Sequence, residues 1–156
     1  MSSDEKAELA RRAGADHIVD YKKQDLVEAV KEVASDGVNT IVEVSPAVNA
    51  SIDAEVLALH GTVAVYANNG GNDVSLPIRP SMVPNVRWQF VLVYNAPDDW
   101  RARALDDVAT AVLDGAVRVG DEAGLPLHHY PLEGAADAHA AVENGAVGKV
   151  IIDVVQ

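Results

Sequence analysis

Few residues in this sequence are of the types that carry covalent or metal chemistry. There is no cysteine, which excludes disulfides, thiolate zinc sites and thiol nucleophiles. No two histidines have the HExxH spacing of a metal-binding helix, and no serine lies in a GxSxG turn. We therefore predict no metal site and assign no catalytic residue. The histidines are His17, His60, His128, His129 and His139.

A polar group near the start of the chain could bind a phosphate. Ser2 and Ser3 precede a predicted helix, and Lys6 lies one turn into it. In dinucleotide-binding folds an acidic residue in the comparable place binds the ribose of NAD. Hydroxyls, a helix N-terminus and an ammonium suit a 2′-phosphate instead. The alternative is a capped surface helix with an exposed lysine, because Ser2 and Glu5 also have capping-box spacing.

Three other polar residues follow predicted strands. Tyr21 could stack on a cofactor or hydrogen-bond to it, and its alternative role is that of a half-buried tyrosine at a strand end. Ser45 and Asn68 each follow a predicted buried strand. Ligands of parallel sheets bind beyond the carboxyl ends of the strands. Both residues would therefore face a ligand, if one binds.

The composition excludes several partners. The net charge is −12 and the pI is about 4.6, so the surface repels nucleic-acid backbones, and an anionic cofactor must be held by local donors. No run of about 18 apolar residues is present, so we expect no membrane span. The polar, acidic opening does not resemble a signal peptide, which makes the cytoplasm the expected compartment.

Helices and strands alternate along the chain. Helices are predicted from about Ser3 to Gly14 and over residues 26–34, 48–59, 98–115 and 135–142, and strands over residues 17–20, 39–44, 62–67, 88–94 and 149–154. Residues 68–71 and 126–131 are predicted loops, and residues 77–84 an irregular segment. Strands separated by helices indicate right-handed crossovers and a parallel sheet. The strand over residues 39–44 is apolar enough to be buried on both faces.

The sequence contains neither GxGxxG nor GxxxxGK[ST]. A free-standing dinucleotide-binding domain should carry a glycine-rich loop after its first strand. The predicted fold class is therefore α/β, a partial Rossmann-type parallel sheet with flanking helices that lacks the first strands and the glycine-rich loop.

The segment from Trp88 to Tyr94 is the most strand-like in the chain. An exposed edge strand of this kind tends to pair with another chain. We favour a homodimer through this strand over the alternative of an interior strand.

Several short segments, in their order and spacing, resemble the medium-chain dehydrogenase/reductase superfamily. The branch that they resemble is the zinc-free, zeta-crystallin-like NADPH:quinone oxidoreductases. The match covers essentially the whole chain and corresponds to the C-terminal part of those enzymes. The segments are Ser2-Ser3-Asp4-Glu5-Lys6-Ala7, Ala13-Gly14-Ala15-Asp16, Asp20-Tyr21, Gly37-Val38-Asn39-Thr40-Ile41-Val42-Glu43, Val48-Asn49, Leu59-His60-Gly61-Thr62-Val63, Asn69-Gly70, Tyr130-Pro131-Leu132-Glu133, Ala138-His139 and Gly148-Lys149-Val150.

The resemblance implies an enzyme that transfers hydride from NADPH to a quinone or enone without zinc. It implies that Ser3 and Lys6 contact the 2′-phosphate and that Tyr21 lies on the adenosine side. It also implies that Asn68, Phe90 and Leu92 lie near the nicotinamide. Lys149 would lie close to the cofactor, and the strand over residues 88–94 would join two subunits.

The resemblance further implies two domains. Residues 1–125 would form an incomplete Rossmann-type cofactor-binding domain, and residues 126–156 a tail that completes the catalytic domain in the family. The main catalytic segment and the glycine-rich loop have no counterpart here. We therefore expect a fragment that is inactive alone and whose binding of NADPH is in doubt. The alternative is a non-catalytic dimerising α/β domain that no longer binds cofactor.

Overall fold

The computed structural model describes residues 3–154, which fall into two compact units. The first unit comprises the described residues of Met1–Lys22 and Asp106–Gln156, and the second comprises Lys23–Leu105. The α-helices are α1 (Asp4–Arg12), α2 (Leu26–Val33), α3 (Pro46–Val56), α4 (Ile78–Met82), α5 (Asp98–Leu113) and α6 (Ala135–Glu143). The strands are β1 (Val38–Glu43), β2 (Leu57–Val65), β3 (Arg87–Phe90), β4 (Leu127–Pro131) and β5 (Lys149–Asp153).

The second unit is built on a three-stranded parallel sheet in the order β1-β2-β3. Its core is small: Leu57, Val63 and Val65 are buried on β2, and Val63 has no exposed surface. Ile41, Val86 and Trp88 pack against them as partly buried neighbours. The predicted α/β class with parallel strands is confirmed.

Three helices begin at residues whose side chains favour a helix N-terminus. Ser3 caps α1, its hydroxyl accepting a hydrogen bond from the Lys6 backbone amide over 3.3 Å. Asp25 caps α2 in the same way, through the Glu28 amide at 2.9 Å. Pro46 opens α3, where its missing N–H breaks no helical hydrogen bond. The capping role predicted for Ser2 lies outside the described residues.

The first unit contains a second, two-stranded parallel sheet of β4 and β5. Helix α6 packs on this sheet and buries Ala138. Helix α6 and strand β5 confirm the predicted elements at these positions. No helix within residues 3–154 is long and apolar enough to cross a membrane. The predicted division of the chain at residue 125 stays a prediction.

Two predictions of the strand pattern were wrong because pairing depends on distant residues. Residues 17–20 form no strand, although their sequence is suited to one. Residues 126–131, predicted as a loop, contain β4, which pairs along its length with β5. Pro131 is tolerated at the last position of β4, because the missing N–H of a strand proline weakens a ladder least at an end.

Two predicted element boundaries were also wrong. The helix predicted to reach residue 59 ends at Val56, and Leu57 begins β2. His60 has a left-handed backbone (φ 63°) where the pairing of β1 with β2 shifts register. The strand predicted over residues 88–94 ends at Phe90, and Val93–Asn95 forms a 3₁₀ turn. The Val91 amide donates to the carbonyl of Val65 at 2.7 Å. Val65 is the last residue of β2, so β2 offers β3 no pairing beyond this hydrogen bond.

Two smaller predictions about the second unit also need correction. Strand β1 is parallel as predicted, but it is not buried on both faces: 68% of Val42 is exposed. The segment predicted as irregular over residues 77–84 contains the short helix α4. The exposure of Val42 arises because β1 has β2 as its sole sheet neighbour within the described residues.

Gly37 is required by the close approach of β1 to the end of α3. Its φ is +85°, and an added Cβ would lie 2.6 Å from the Ala58 nitrogen and 2.8 Å from the Val56 carbonyl oxygen. All of these contacts are to backbone atoms, which cannot rotate away. Gly115 also has a positive φ, of +68°, but a Cβ there would meet nothing within 4 Å.

We expect Gly37→Ala to lower the free energy of unfolding by about 2 kcal/mol or more, from backbone strain and overpacking combined. Urea denaturation of the purified chain measures this loss. Gly115→Ala is the matched control, since it carries the strain without the overpacking and should cost less. Equal losses in the two variants would contradict the role given to the Gly37 contacts.

Candidate functional site

The candidate site is an open cleft at the carboxyl ends of β2 and β3. The parallel register sets Glu43, Val65 and Phe90 side by side at the ends of β1, β2 and β3. The segments that follow β2 and β3 enclose a volume of about 320 Å³. The lining residues are Val65, Tyr66, Ala67, Asn68, Phe90, Val91 and Leu92. Ligands of parallel sheets bind at this edge.

The loop after β2 is anchored to the turn after β1. The Asn69 amide donates to the Val44 carbonyl at 2.9 Å, and the Ser45 hydroxyl donates to the Asn69 carbonyl at 2.9 Å. Within the loop, the Asn68 side-chain amide donates to the Asn72 side-chain oxygen at 2.6 Å. These bonds fix the position of Asn68 at the rim of the cleft, so its amide is held in one place before any ligand arrives.

Beneath this loop lies a carboxyl pair, Glu43 and Asp53, each 5% exposed. Glu43 ends β1 and accepts hydrogen bonds from the Ser45 backbone amide and from the Asn49 side-chain amide, the latter at 3.2 Å to each of its oxygens. Burial, the charge of Glu43 and a hydrogen bond with Glu43 together raise the pKa of Asp53 to about 7.

Within the described residues, one Asp53 oxygen is buried without a hydrogen-bond partner. A protonated Asp53 resolves this, because a neutral carboxyl can donate to the Glu43 carboxylate. The raised pKa of Asp53 favours its protonated form below about pH 7. Sequence reasoning missed this pair. The available signal was an acidic residue at the end of a predicted buried strand, followed by Asn49 and Asp53 four residues apart on α3.

The seven predicted cofactor residues are distributed between the two units. Asn68, Phe90 and Leu92 belong to the second unit and line the same cleft. The other four, Ser3, Lys6, Tyr21 and Lys149, belong to the first unit. The structure therefore brings together the three residues predicted for the nicotinamide end.

The four residues in the first unit have different surroundings. Ser3 uses its hydroxyl in the helix cap. Tyr21 is more than half exposed, and Lys149 is an exposed residue at the start of β5. No hydrogen bond between side chains and no ion pair joins any two of these four residues in the described part of the chain. Their roles toward a cofactor stay predictions.

Residues 3–154 contain no cluster of three or more histidine or carboxylate side chains that could hold a metal ion. Two of the histidines have local partners in the first unit. His129 Nδ1 lies 3.1 Å from the Asp153 carboxylate oxygens, which joins β4 to β5. His128 Nε2 lies 2.8 Å from the Val147 carbonyl. Each of these contacts ties neighbouring segments of the same unit.

Comparison with known proteins places this architecture in a family. A family model described as zinc-binding dehydrogenase matches residues 1–110. The chain is 29% identical over 143 residues to the 2-haloacrylate reductase of a Burkholderia species, covering 89% of this chain and 42% of that protein. It is 25% identical over 153 residues to the quinone oxidoreductase of Sus scrofa, covering 96% of this chain and 44% of that protein.

A solved structure of Escherichia coli quinone oxidoreductase complexed with NADPH shares the fold. The TM-score is 0.74 at 19% identity, and the match covers 99% of this chain and 48% of that chain. The present chain thus spans less than half the length of all three proteins. The predicted resemblance to medium-chain dehydrogenases and reductases is confirmed, as is the Rossmann-type fold.

The order of elements, the cleft at the carboxyl edge and a family match over residues 1–110 agree with one another. This protein belongs to the zinc-binding dehydrogenase family, among the medium-chain dehydrogenases and reductases that include quinone oxidoreductases.

Proposed function

We propose that this chain is the cofactor-binding part of an NADPH-dependent quinone or enone reductase. The observation that carries the proposal is the cleft in which Asn68, Phe90 and Leu92 meet. Its walls are mostly apolar, and one side-chain amide is fixed at its rim. A nicotinamide ring has apolar faces and one carboxamide group, so the apolar walls and the Asn68 amide fit this ring.

The cofactor, when bound, supplies the hydride, and the protein's part is to position and desolvate the ring. Phe90 and Leu92 would cover one side of the ring and exclude water from it. The Asn68 amide would orient the carboxamide, since its own position is fixed by Asn72. We assign no acid or base, because Tyr66, the titratable side chain among the described lining residues, is 61% exposed.

Selection of NADPH over NADH would depend on Lys6. The first turn of α1 carries Asp4 and Glu5, which repel a phosphate. The Ser3 hydroxyl accepts the cap bond and can still donate to a phosphate, while the ammonium of Lys6 supplies the local positive charge for a 2′-phosphate. Tyr21 on the adenosine side and Lys149 near the cofactor complete the proposed set.

The proposed substrates are small electrophiles whose carbonyl or activated double bond accepts hydride. Two relatives support this class: a quinone oxidoreductase and a 2-haloacrylate reductase. In keeping with the zinc-free branch that the sequence resembles, we propose that the reaction needs no zinc. The substrate pocket of such enzymes lies in a segment that has no counterpart in this chain.

A second candidate function is a non-catalytic dimerising domain, and one observation favours it. Within the described residues β3 pairs on one side with β2 alone, so its other edge is open. Val93 and Tyr94 follow it, and 82% of Tyr94 is exposed. An open edge beside exposed apolar side chains is suited to pairing with a second copy.

We expect Lys6→Ala to weaken NADPH binding about tenfold or more, from loss of a charge-assisted contact, while leaving NADH binding unchanged. Fluorescence titration with each nucleotide measures both affinities. Lys31→Ala, which removes an exposed lysine from α2, should change neither. Equal weakening of NADPH and NADH by Lys6→Ala would contradict the 2′-phosphate contact.

We expect Leu92→Lys to weaken NADPH and NADH about equally, by roughly tenfold or more, because a charge would be placed against the proposed ring site common to both. The same titration measures this effect. Leu113→Lys is the matched control, since Leu113 is 86% exposed on α5. Unchanged affinities in Leu92→Lys, with a folded chain, would remove the cleft from the proposed site.

We expect the chain to dimerise and the double variant Val93→Asp with Tyr94→Asp to be monomeric, since two charges would be buried in the interface. Sedimentation velocity at several concentrations measures the state. Leu113→Asp introduces a charge at an exposed apolar residue elsewhere and should leave the dimer intact. A monomeric parent chain, or a double variant that remains dimeric, would contradict an interface at this edge.

A further inference from the structure

Within residues 3–154, no ion pair joins Glu43 or Asp53 to a cationic side chain. Helix α3, which carries Asp53, packs against α2, β1, β2 and α4. The charged group that faces Asp53 is Glu43 of β1. The remaining titratable residues on α3 and the packed elements are Glu55, Glu28, Lys31, Glu32, His60 and Arg79. None of these forms a hydrogen bond or ion pair with Asp53 in the described part of the chain.

The pair is connected directly to the loop at the candidate cleft. Glu43 accepts from the Ser45 amide, and the Ser45 hydroxyl in turn donates to the Asn69 carbonyl at 2.9 Å. The Asn69 amide closes the connection through the Val44 carbonyl at 2.9 Å. We call Ser45 and Asn69, with these bonds, the loop junction. Asn68, at the rim of the cleft, directly precedes Asn69 in the chain.

We propose that a single proton shared by Glu43 and Asp53 holds the loop junction closed, and that loss of this proton loosens it. Glu43 and Asp53 are thus positioning residues for the cleft. With the proton present, Asp53 donates to Glu43, which remains free to accept from Ser45 and Asn49. Without it, two buried carboxylates repel each other, and the acceptor that fixes the junction is displaced or hydrated.

The pH range follows from the sign of the shift. The pKa of Asp53 is raised from 3.8 to about 7, so the folded junction binds the proton more tightly than an opened one. The contribution to closure is complete below pH 3.8 and is lost as the pH rises toward 7. We take about 7 as the pKa of Asp53 in the closed junction and 3.8 as its pKa in the opened one. The equilibrium constant for closing then falls about tenfold between about pH 6 and pH 8.

Amide hydrogen exchange of the full chain tests the proposal without any ligand. Protection of the Ser45 and Asn69 amides, corrected for the intrinsic pH dependence of exchange, should fall about tenfold from about pH 6 to pH 8. Asp53→Asn keeps a donor toward Glu43 and carries no titrating proton, so its protection should not change over this range. Glu55→Gln, an exposed change on the same helix, should behave as the parent chain.

Constant protection in the parent chain, or the same fall in Asp53→Asn, would overturn the proposal. If Asp53→Asn fails to fold, the ¹³C carboxyl resonance of Asp53 in the parent chain decides: a midpoint near 7 supports the shared proton, and a midpoint near 4 overturns it.

The consequence for ligand binding rests on the proposed function. NADPH affinity should fall over the same pH range in the parent chain and stay constant in Asp53→Asn. If NADPH fails to bind at any pH while exchange behaves as expected, the proposed cofactor function is wrong and the proton-held junction stands. If NADPH binds with the same affinity at both pH values, the junction does not control the cleft.

Discussion

The structure of the second unit depends on the parallel pairing of β2 with a strand on each side. This pairing buries Val63 completely and sets the ends of β1, β2 and β3 in one row. Every feature of the candidate site follows from that row. The cleft opens where β2 and β3 end, and the carboxyl pair lies where β1 ends and α3 begins. A change in register would separate these groups, since side chains alternate between sheet faces.

The same sheet leaves much apolar surface exposed. Val42 on β1, Leu92 after β3 and Tyr94 beyond it are each more than half exposed. Within the described residues, both outer strands have one unpaired edge. Exposed apolar residues beside open edges favour association with other polypeptide, because backbone groups and side chains are both left without partners. Strand β3 therefore takes part both in the proposed dimer interface and in the proposed cofactor site.

Electrostatics constrain the site in two ways. A net charge of −12 gives no general attraction for an anionic cofactor, so local donors must supply it. Near the cleft, however, the sequence places two acidic groups in contact inside the unit. Such a pair is stable only while one member is neutral. The polar connections through Ser45 and Asn49 give the remaining carboxylate its partners, which ties the charge state of the core to the shape of the loop.

The sequence by itself determined the local elements and the family. Helices α2 and α6 and strand β5 were each predicted near their observed positions, α2 from apolar residues at helical spacing. The rule for parallel sheets predicted that Asn68, which follows β2, lies on the ligand side. The family resemblance placed Phe90 and Leu92 near the nicotinamide, and the three residues line one cleft.

Only the tertiary structure decided which segments find partners. Residues 17–20 and 127–131 both have sequences compatible with pairing or with a loop, and the second became β4 because β5 lies beside it. Strand β3 stops where β2 stops, a limit that its own apolar sequence does not contain. The carboxyl pair could not be predicted either, since Glu43 and Asp53 are ten positions apart in the sequence. When α3 folds back on the end of β1, burial and then the contact with Glu43 raise the pKa of Asp53. Each residue carries its own preference for helix, strand or turn. Hydrogen-bond partners, burial and the charges near a buried group are set only when the chain packs.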